Sequence, residues 1–512
     1  MHKTLVRKLT VAGLVGAVAM SAAARELTPE EALLRAGLFR SENTGIFKSR
    51  SANNTRLAHT VTLPELNSAA FYVFNYGNGN GYVVVSGDDR LREILGYAAE
   101  GDFDSADIPS NVAWWLDNYR REIKEFISKS DSESSSLKPL TSAQAETRTN
   151  IEPLVKTKWN QSAPYNNMCP SDAGGRSVTG CVATAMAQIV NYHRWPDGNG
   201  SGSNSYTSRT GLTSSFDYSA TRFDWDNMLD AYDGNATQAQ QDAVARLMFG
   251  CGVGIHMNYS SQESGAFSFA VPWALTKFFN FDSSAFYEER DGYLNEEWED
   301  LVYGELAAGR PVLYSGQATN GGHAFVCDGY ENGLFHINWG WGGAYDGHFA
   351  LSALNPDGQG IGGYAGGYNT DQSIVYSIKP GENAGTCDGF LKGIGSFTYV
   401  PDQNGDMLSI FKVGNFHPEN GEYTLGLDYI PVDGVATKEI ELGNVNLNTV
   451  NITTGTYYYN SWNIQAPQSV GLSAGTYKVY PAYVGASGVR HRLRFPVVNQ
   501  SYILLTVGGG GA

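Results

Sequence analysis

Gly180 and Cys181 open the run "GCVATAMAQIVNYH". Cys181, Val182, Ala185, Met186, Ile189 and Val190 recur in it at helical spacing. The cysteine thus stands in the first turn of a buried helix, with Thr179 or Ser177 as the expected cap and Trp195-Pro196 as the stop. Unpaired N–H groups and the helix dipole favour an anion at that position, which turns a thiol towards the nucleophilic thiolate. A lone cysteine in an apolar run is more often a small core residue. The assignment therefore needs partners elsewhere in the chain.

A thiolate needs an imidazole, and the imidazole needs a group to orient it. Both are offered by "GGHAFVCDGYENGLFHINWGWGG", from Gly321 to Gly343. His323 begins one strand after a flexible glycine pair, Asn338 ends the next, and "DGYENG" between them reads as a hairpin turn. The expectation is that His323 and Asn338 lie opposite each other, with Trp339 or Trp341 shielding their hydrogen bond from water. Gly321, Gly322 and Trp341 are expected at the substrate-facing rim. His336 is the competing base, but it sits deeper in the hairpin without a preceding glycine, so a structural role is favoured. Cys327 lacks a helix N-terminus. His193, three turns from Cys181, reads as a C-terminal dipole partner. The N–H of Cys181 supplies one oxyanion donor, and Gln161 in "KWNQSAPYN" is the candidate for a second.

These residues must be held by several units, since 512 residues exceed one hydrophobic core. Residues 1–24 read as a signal peptide: Lys3, Arg7 and Lys8 precede a short apolar run, and small residues precede Arg25. Residues 25–127 hold two β-rich runs joined by "GNGNG" and an amphipathic helix carrying Val112, Trp115, Leu116, Tyr119, Ile123 and Ile127. Residues 128–150 are Ser-rich and charged, a cleavable linker. Residues 151–383 carry the helix and hairpin just described. Residues 384–512 are short strand-like runs between Gly, Asn, Asp and Pro, a β-sandwich pattern. A net charge of −17 argues against nucleic acid as a partner, and no run after the first 24 residues is apolar enough to span a membrane. No His or Cys pair has metal-ligand spacing, so neither metal nor cofactor is expected. Five cysteines, an odd number, leave at least one thiol unpaired.

"TGCVATAMAQIVNYH", "GGHAFVCDGY", "FHINWGWGG", "DGHFALSALNP" and "GGYAGGYNTDQSIVYSIKP" together resemble the streptopain family of papain-like cysteine peptidases, in particular its longer interpain and periodontain type. The similarity runs from about residue 60 to 380, and "GYVVVSGDDRLREILGYAAEG" resembles the family's inhibitory prodomain. The resemblance implies a papain-like catalytic domain with a small α+β prodomain before it; with the all-β sandwich-like domain read from the C-terminal pattern, the fold class is α+β. The resemblance also implies a secreted or cell-surface endopeptidase made as a latent zymogen, with protein and peptide substrates and its own prodomain as intramolecular inhibitor. By the same resemblance Cys181 is the nucleophile, His323 the base and Gln161 part of the oxyanion hole. Asn338 and Trp339 orient and shield the histidine, Gly360–Gly367 is a mobile loop, and "MNYSSQESGAF" lines the cleft. Two other readings compete: a transglutaminase-like acyl transferase, against which Asn338 in place of Asp counts, and a non-enzymatic adhesin.

Overall fold

A computed structural model describes residues 26–43, 45–47, 55–130, 148–291, 293, 295–318, 321–353, 372–381, 385, 387–401, 407–419, 421–432, 437–453, 459–466, 471–495 and 502–507. The expected signal peptide, most of the linker and the Gly360–Gly367 loop lie outside the described residues.

The first segment gives α1 (Pro29–Glu42), β1 (Arg56–Leu63), β2 (Ser68–Asn75), β3 (Tyr82–Ser86), β4 (Ile94–Ala98) and α2 (Ser110–Ser130). A capping box starts α1, with Thr28 and Glu31 each satisfying the other's backbone N–H. The middle segment begins with a small hairpin, β5 (Ser171–Asp172) and β6 (Gly175–Arg176). It continues through α3 (Cys181–His193), β7 (Ser203–Thr207), β8 (Thr213–Asp217), α4 (Gln238–Gly254), α5 (Val271–Phe278), β9 (Phe286–Glu289) and α6 (Asn295–Ala307). It closes with β10 (Val312–Ala318), β11 (Gly321–Glu331), β12 (Leu334–Asn338), β13 (Gly347–Phe349) and β14 (Gln372–Tyr376).

One antiparallel sheet joins the two segments, in the order β1-β2-β3-β4-β13-β12-β11-β10-β14-β9. The seam is β4 against β13, where His348 pairs with Tyr97 and Phe349 with Gly96. The backbones approach so closely that a Cβ on Gly347 would overlap the Tyr97 carbonyl. The amphipathic helix expected over 110–127 is α2, and all six of its named apolar residues are buried. That stripe serves the neighbouring segment as well as its own. Trp115 packs on Tyr314, Phe325 and Trp339, with ring centroids 5.5–5.9 Å apart.

Alternation along β11 divides the molecule. Phe325 and Cys327 face a core shared with α2 and α6, while Ala324 and Val326 face the core containing α3, α4 and α5. The second core continues into the C-terminal strands β15 (Phe390–Pro401), β16 (Met407–Phe416), β17 (Gly421–Pro431), β18 (Lys438–Leu447), β19 (Tyr459–Ala466), β20 (Gly475–Val484), β21 (Arg490–Arg492) and β22 (Ile503–Val507). These form a sandwich of two antiparallel sheets, β15-β16-β19 and β18-β17-β20-β21, with β22 also on β20. The hydroxyls of Tyr399 and Tyr429 meet between them at 3.0 Å.

Candidate active site

Cys181 is the first residue of α3, as its spacing requires, but neither Thr179 nor Ser177 caps the helix. The N-cap is Gly180 at φ 85°, with no side-chain cap bond. A Cβ there would lie 2.6–2.9 Å from the Met257 side chain and the Ser264 carbonyl, so the position accepts only glycine. The Thr179 hydroxyl turns instead to Thr184 at 2.8 Å. The first N–H groups of α3 are thus free of side-chain competition, which is what an oxyanion site needs.

All five cysteines are free thiols, and Cys181 alone among them is not buried. Burial pushes Cys169 and Cys387 up to about 12, and Cys251 and Cys327 well above the ordinary thiol value. Cys327 lies in the α2-side core, out of reach of α3. The Cys181 thiol is itself raised, because protein crowds it; the N–H groups of Ala324, Val182 and Cys181 work against that crowding. Its Sγ donates to the Gly322 carbonyl at 3.7 Å.

His323 is on the other face of the sheet. It alternates with Phe325 and Cys327, and its ring lies 6.3 Å from that of Trp114 on α2, between centroids. Burial lowers its pKa, and the Glu263 charge partly opposes this. Thiol and imidazole are therefore both held towards their neutral forms, on opposite faces of β11.

The hairpin is present, with Asn332 and Gly333 at φ 52° and 84° in its two-residue turn. Its register corrects the expectation that His323 and Asn338 are opposite. A bulge at Asp328 shifts the ladder, so Asn338 pairs with Val326, while His323 pairs with Gly316 on β10. Asn338 points to the α3 side. Its Oδ1 accepts from Gln188 Nε2 at 3.2 Å and from Gly340 N at 3.1 Å, and its Nδ2 donates to the Thr157 carbonyl at 2.7 Å. Gln188, fully buried on α3, is a site residue that the sequence reading missed. A glutamine seven residues after Cys181 on a buried helix was the available signal.

Gln161 is half-buried, and its carbonyl accepts from Thr179 N at 3.1 Å, which holds it beside the start of α3. Trp339 is buried, with its ring 4.8 Å from Phe325 and its indole N–H on the Tyr345 carbonyl at 2.9 Å. The Trp341 indole donates to Asn111 Oδ1 at 2.8 Å, and Asn111 Nδ2 donates to the Trp339 carbonyl at 2.7 Å. Asn111 and Trp114, both on α2, were not singled out from the sequence. Gly321 pairs with Ala318 and Gly322 with Gln317 at the open end of β11.

His336, the competing base, is paired with Asp328 within the sheet. Burial pulls its pKa down, but the Asp328 carboxylate, 2.6 Å from Nδ1, more than offsets this and leaves it raised. His193 departs from expectation: burial against Phe281 lowers it to about 4, so it is neutral and cannot serve as a cationic dipole partner. Among the described residues no group of three or more His, Cys, Asp or Glu is gathered to hold a metal.

Comparison with known proteins now decides the family. The model of the Peptidase C10 family matches residues 159–349, and that of the Spi protease inhibitor matches residues 24–123. The chain is 36% identical to streptopain of Streptococcus pyogenes over 361 residues, covering 65% of this chain and 86% of streptopain. The chain belongs to the peptidase C10 family. It is also 35% identical over 350 residues to the thiol protease/hemagglutinin PrtT of Porphyromonas gingivalis, but spans only 40% of that protein. A solved prointerpain A fragment of Prevotella intermedia, carrying a Cys-to-Ala substitution, superposes with a TM-score of 0.52 at 33% identity, covering 64% of this chain and 99% of the fragment. This peptidase C10 member is a cysteine peptidase preceded by an inhibitor-type prodomain, and among its described residues no helix is long and apolar enough to cross a membrane.

Proposed function

We propose that the protein is an exported endopeptidase whose nucleophile is Cys181 and whose base is His323, kept silent by residues 25–127. The observation that carries this reading is the uncapped N-terminus of α3, which presents the one accessible thiol to open N–H groups. In the reaction His323 takes the thiol proton, the thiolate attacks the peptide carbonyl, and the Cys181 N–H with the Gln161 amide receives the oxyanion. His323 returns the proton to the leaving amine, and water then hydrolyses the acyl-enzyme.

For this to occur the His323 ring must leave Trp114 and turn to the α3 face, where Asn338 already waits on Gln188. Asn338 then accepts from the ring, and Trp339 shields the pair. In the precursor Trp114 occupies one side of His323 while Asn111 holds the Trp339–Trp341 backbone and indole. Gly321, Gly322 and Trp341 become substrate-facing once α2 departs. Cutting the chain between about Lys129 and Asn150 starts that departure, since the linker keeps the prodomain at roughly millimolar local concentration.

The test is Cys181→Ala beside Cys327→Ala. The first should abolish hydrolysis and labelling by E-64-type epoxides, a loss of several orders of magnitude. The second should retain both. Hydrolysis by the first variant with a dead second variant would reverse the assignment.

A further inference from the structure

The turn that lines Gly180 and Cys181 is tied at both ends to the C-terminal sandwich. Met257 and the Ser264 carbonyl lie against Gly180, the Ser260 carbonyl accepts from Val178 N at 3.1 Å, and Asn258 pairs with Gly265. The chain enters this turn through His256, whose backbone is left-handed at φ 54°. Such a backbone in a non-glycine residue persists only where its surroundings hold it. Here Nδ1 meets the Thr453 hydroxyl of the sandwich at 3.1 Å, and the ring stacks on Tyr206 at 4.5 Å. The chain leaves through Phe267, stacked at 5.1 Å on Phe269, which packs on Phe416 of β16 at 5.4 Å.

The contact between sandwich and peptidase domain extends well past these two points. Phe286 stacks on His491 with centroids 4.0 Å apart, and Phe390 meets Tyr287 at 5.2 Å. Lys392 pairs with Glu289 and, at 3.2 Å, with Asp291, and a single apolar core runs through both units. An interface this apolar, with Lys392 held by two carboxylates across it, does not come apart when a distant linker is cut.

We propose that the sandwich is a working part of the peptidase, retained after the prodomain leaves, and that Thr453 and Phe416 are positioning residues that set the cleft's affinity for an extended peptide. The inference rests on Cys181 being the nucleophile. It acts through the shape of the 257–266 turn, which affects substrate binding while leaving the thiol's own chemistry unchanged.

The experiment uses the mature enzyme, obtained by cutting the full chain in its linker. Its intact mass should correspond to one chain lacking the prodomain and keeping the sandwich. Thr453→Val, which keeps the volume and removes the hydroxyl, should raise KM for a peptide substrate about three- to tenfold, the worth of one hydrogen bond. The kcat should stay within about twofold, and alkylation by iodoacetamide, which needs no cleft, should be unchanged. Phe416→Leu should shift KM the same way, and Thr453→Ser, which restores the hydroxyl, should return it to the starting value. Unchanged KM in Thr453→Val and Phe416→Leu would overturn the proposal. So would a fully active species lacking residues 390–507. Failure of the Cys181 assignment is separately visible, as hydrolysis that survives Cys181→Ala.

Discussion

Gly180 fixes how the Cys181 thiol is presented, because its left-handed backbone and the press of Met257 and Ser264 exclude any side chain. Gly180→Ala should cost about 1–2 kcal/mol for the backbone and about 1–3 kcal/mol for the overlap. A lower melting temperature and a loss of epoxide labelling would together report it; wild-type values for both would show that the N-terminus of α3 tolerates a different path. Cys181 was legible in the sequence because a helical period and a preceding glycine are local facts. The cap was not, because Thr179 is drawn away by Thr184, one turn further on. Which face His323 takes was also illegible. Strand alternation groups His323 with Phe325, but only tertiary packing places Trp114 on that side. Gln188 and Asn338 lie 150 positions apart, and no local pattern joins them.

At the scale of elements, the seam between β4 and β13 decides how firmly the prodomain is held. His348 stacks on Tyr97 at 5.1 Å, beside His336 with its partner Asp328, and Tyr97 donates to Glu331. Burial and then the neighbouring His336 charge push His348 down to about 3. A histidine held below its ordinary value of about 6.5 favours the docked state fully above that value, and this stabilisation is lost as pH falls from 6.5 towards 3. Asp346, raised to about 6 by burial, titrates with the opposite sign; it accepts from Trp339 N, and Tyr82 of the docked segment lies beside it, so it offsets part of the His348 effect. Glu152 also faces His336. We therefore expect a nicked Cys181→Ala precursor to release its prodomain about tenfold faster near pH 5 than near pH 7.5. His348→Asn should flatten that dependence; a flat profile in the parent would assign the seam no pH sensitivity. The helix α2 carries the other half of the grip. Trp115→Ala, which empties a site among Tyr314, Phe325 and Trp339, should weaken docking by about 3–5 kcal/mol and raise peptidase activity in the uncut precursor. The sequence period located α2 and its buried face. It did not reveal that the face is shared between two segments, since amphipathicity states that a stripe is buried and leaves the partner open.

For the molecule as a whole, the composition shift near residue 386 marked the sandwich, and the Ser-rich stretch marked the linker, because both are local textures. The ten-stranded sheet was not foreseen: β4 and β13 are far apart in the chain, and their pairing is written in no short motif. That sheet makes the prodomain part of the peptidase's own architecture, and under the proposed mechanism latency lies in the placement of one histidine. The most direct measurement is the rate at which an E-64-type epoxide labels Cys181, in a precursor with an uncleavable linker and in the mature enzyme. If the docked form, with His323 against Trp114, holds about 99% of the precursor, labelling should be about a hundredfold slower there than after prodomain removal. Trp114→Ala in the same uncut precursor should recover much of the difference. Equal rates in precursor and mature enzyme would contradict the account, because the thiol and imidazole would then already be paired while α2 is in place.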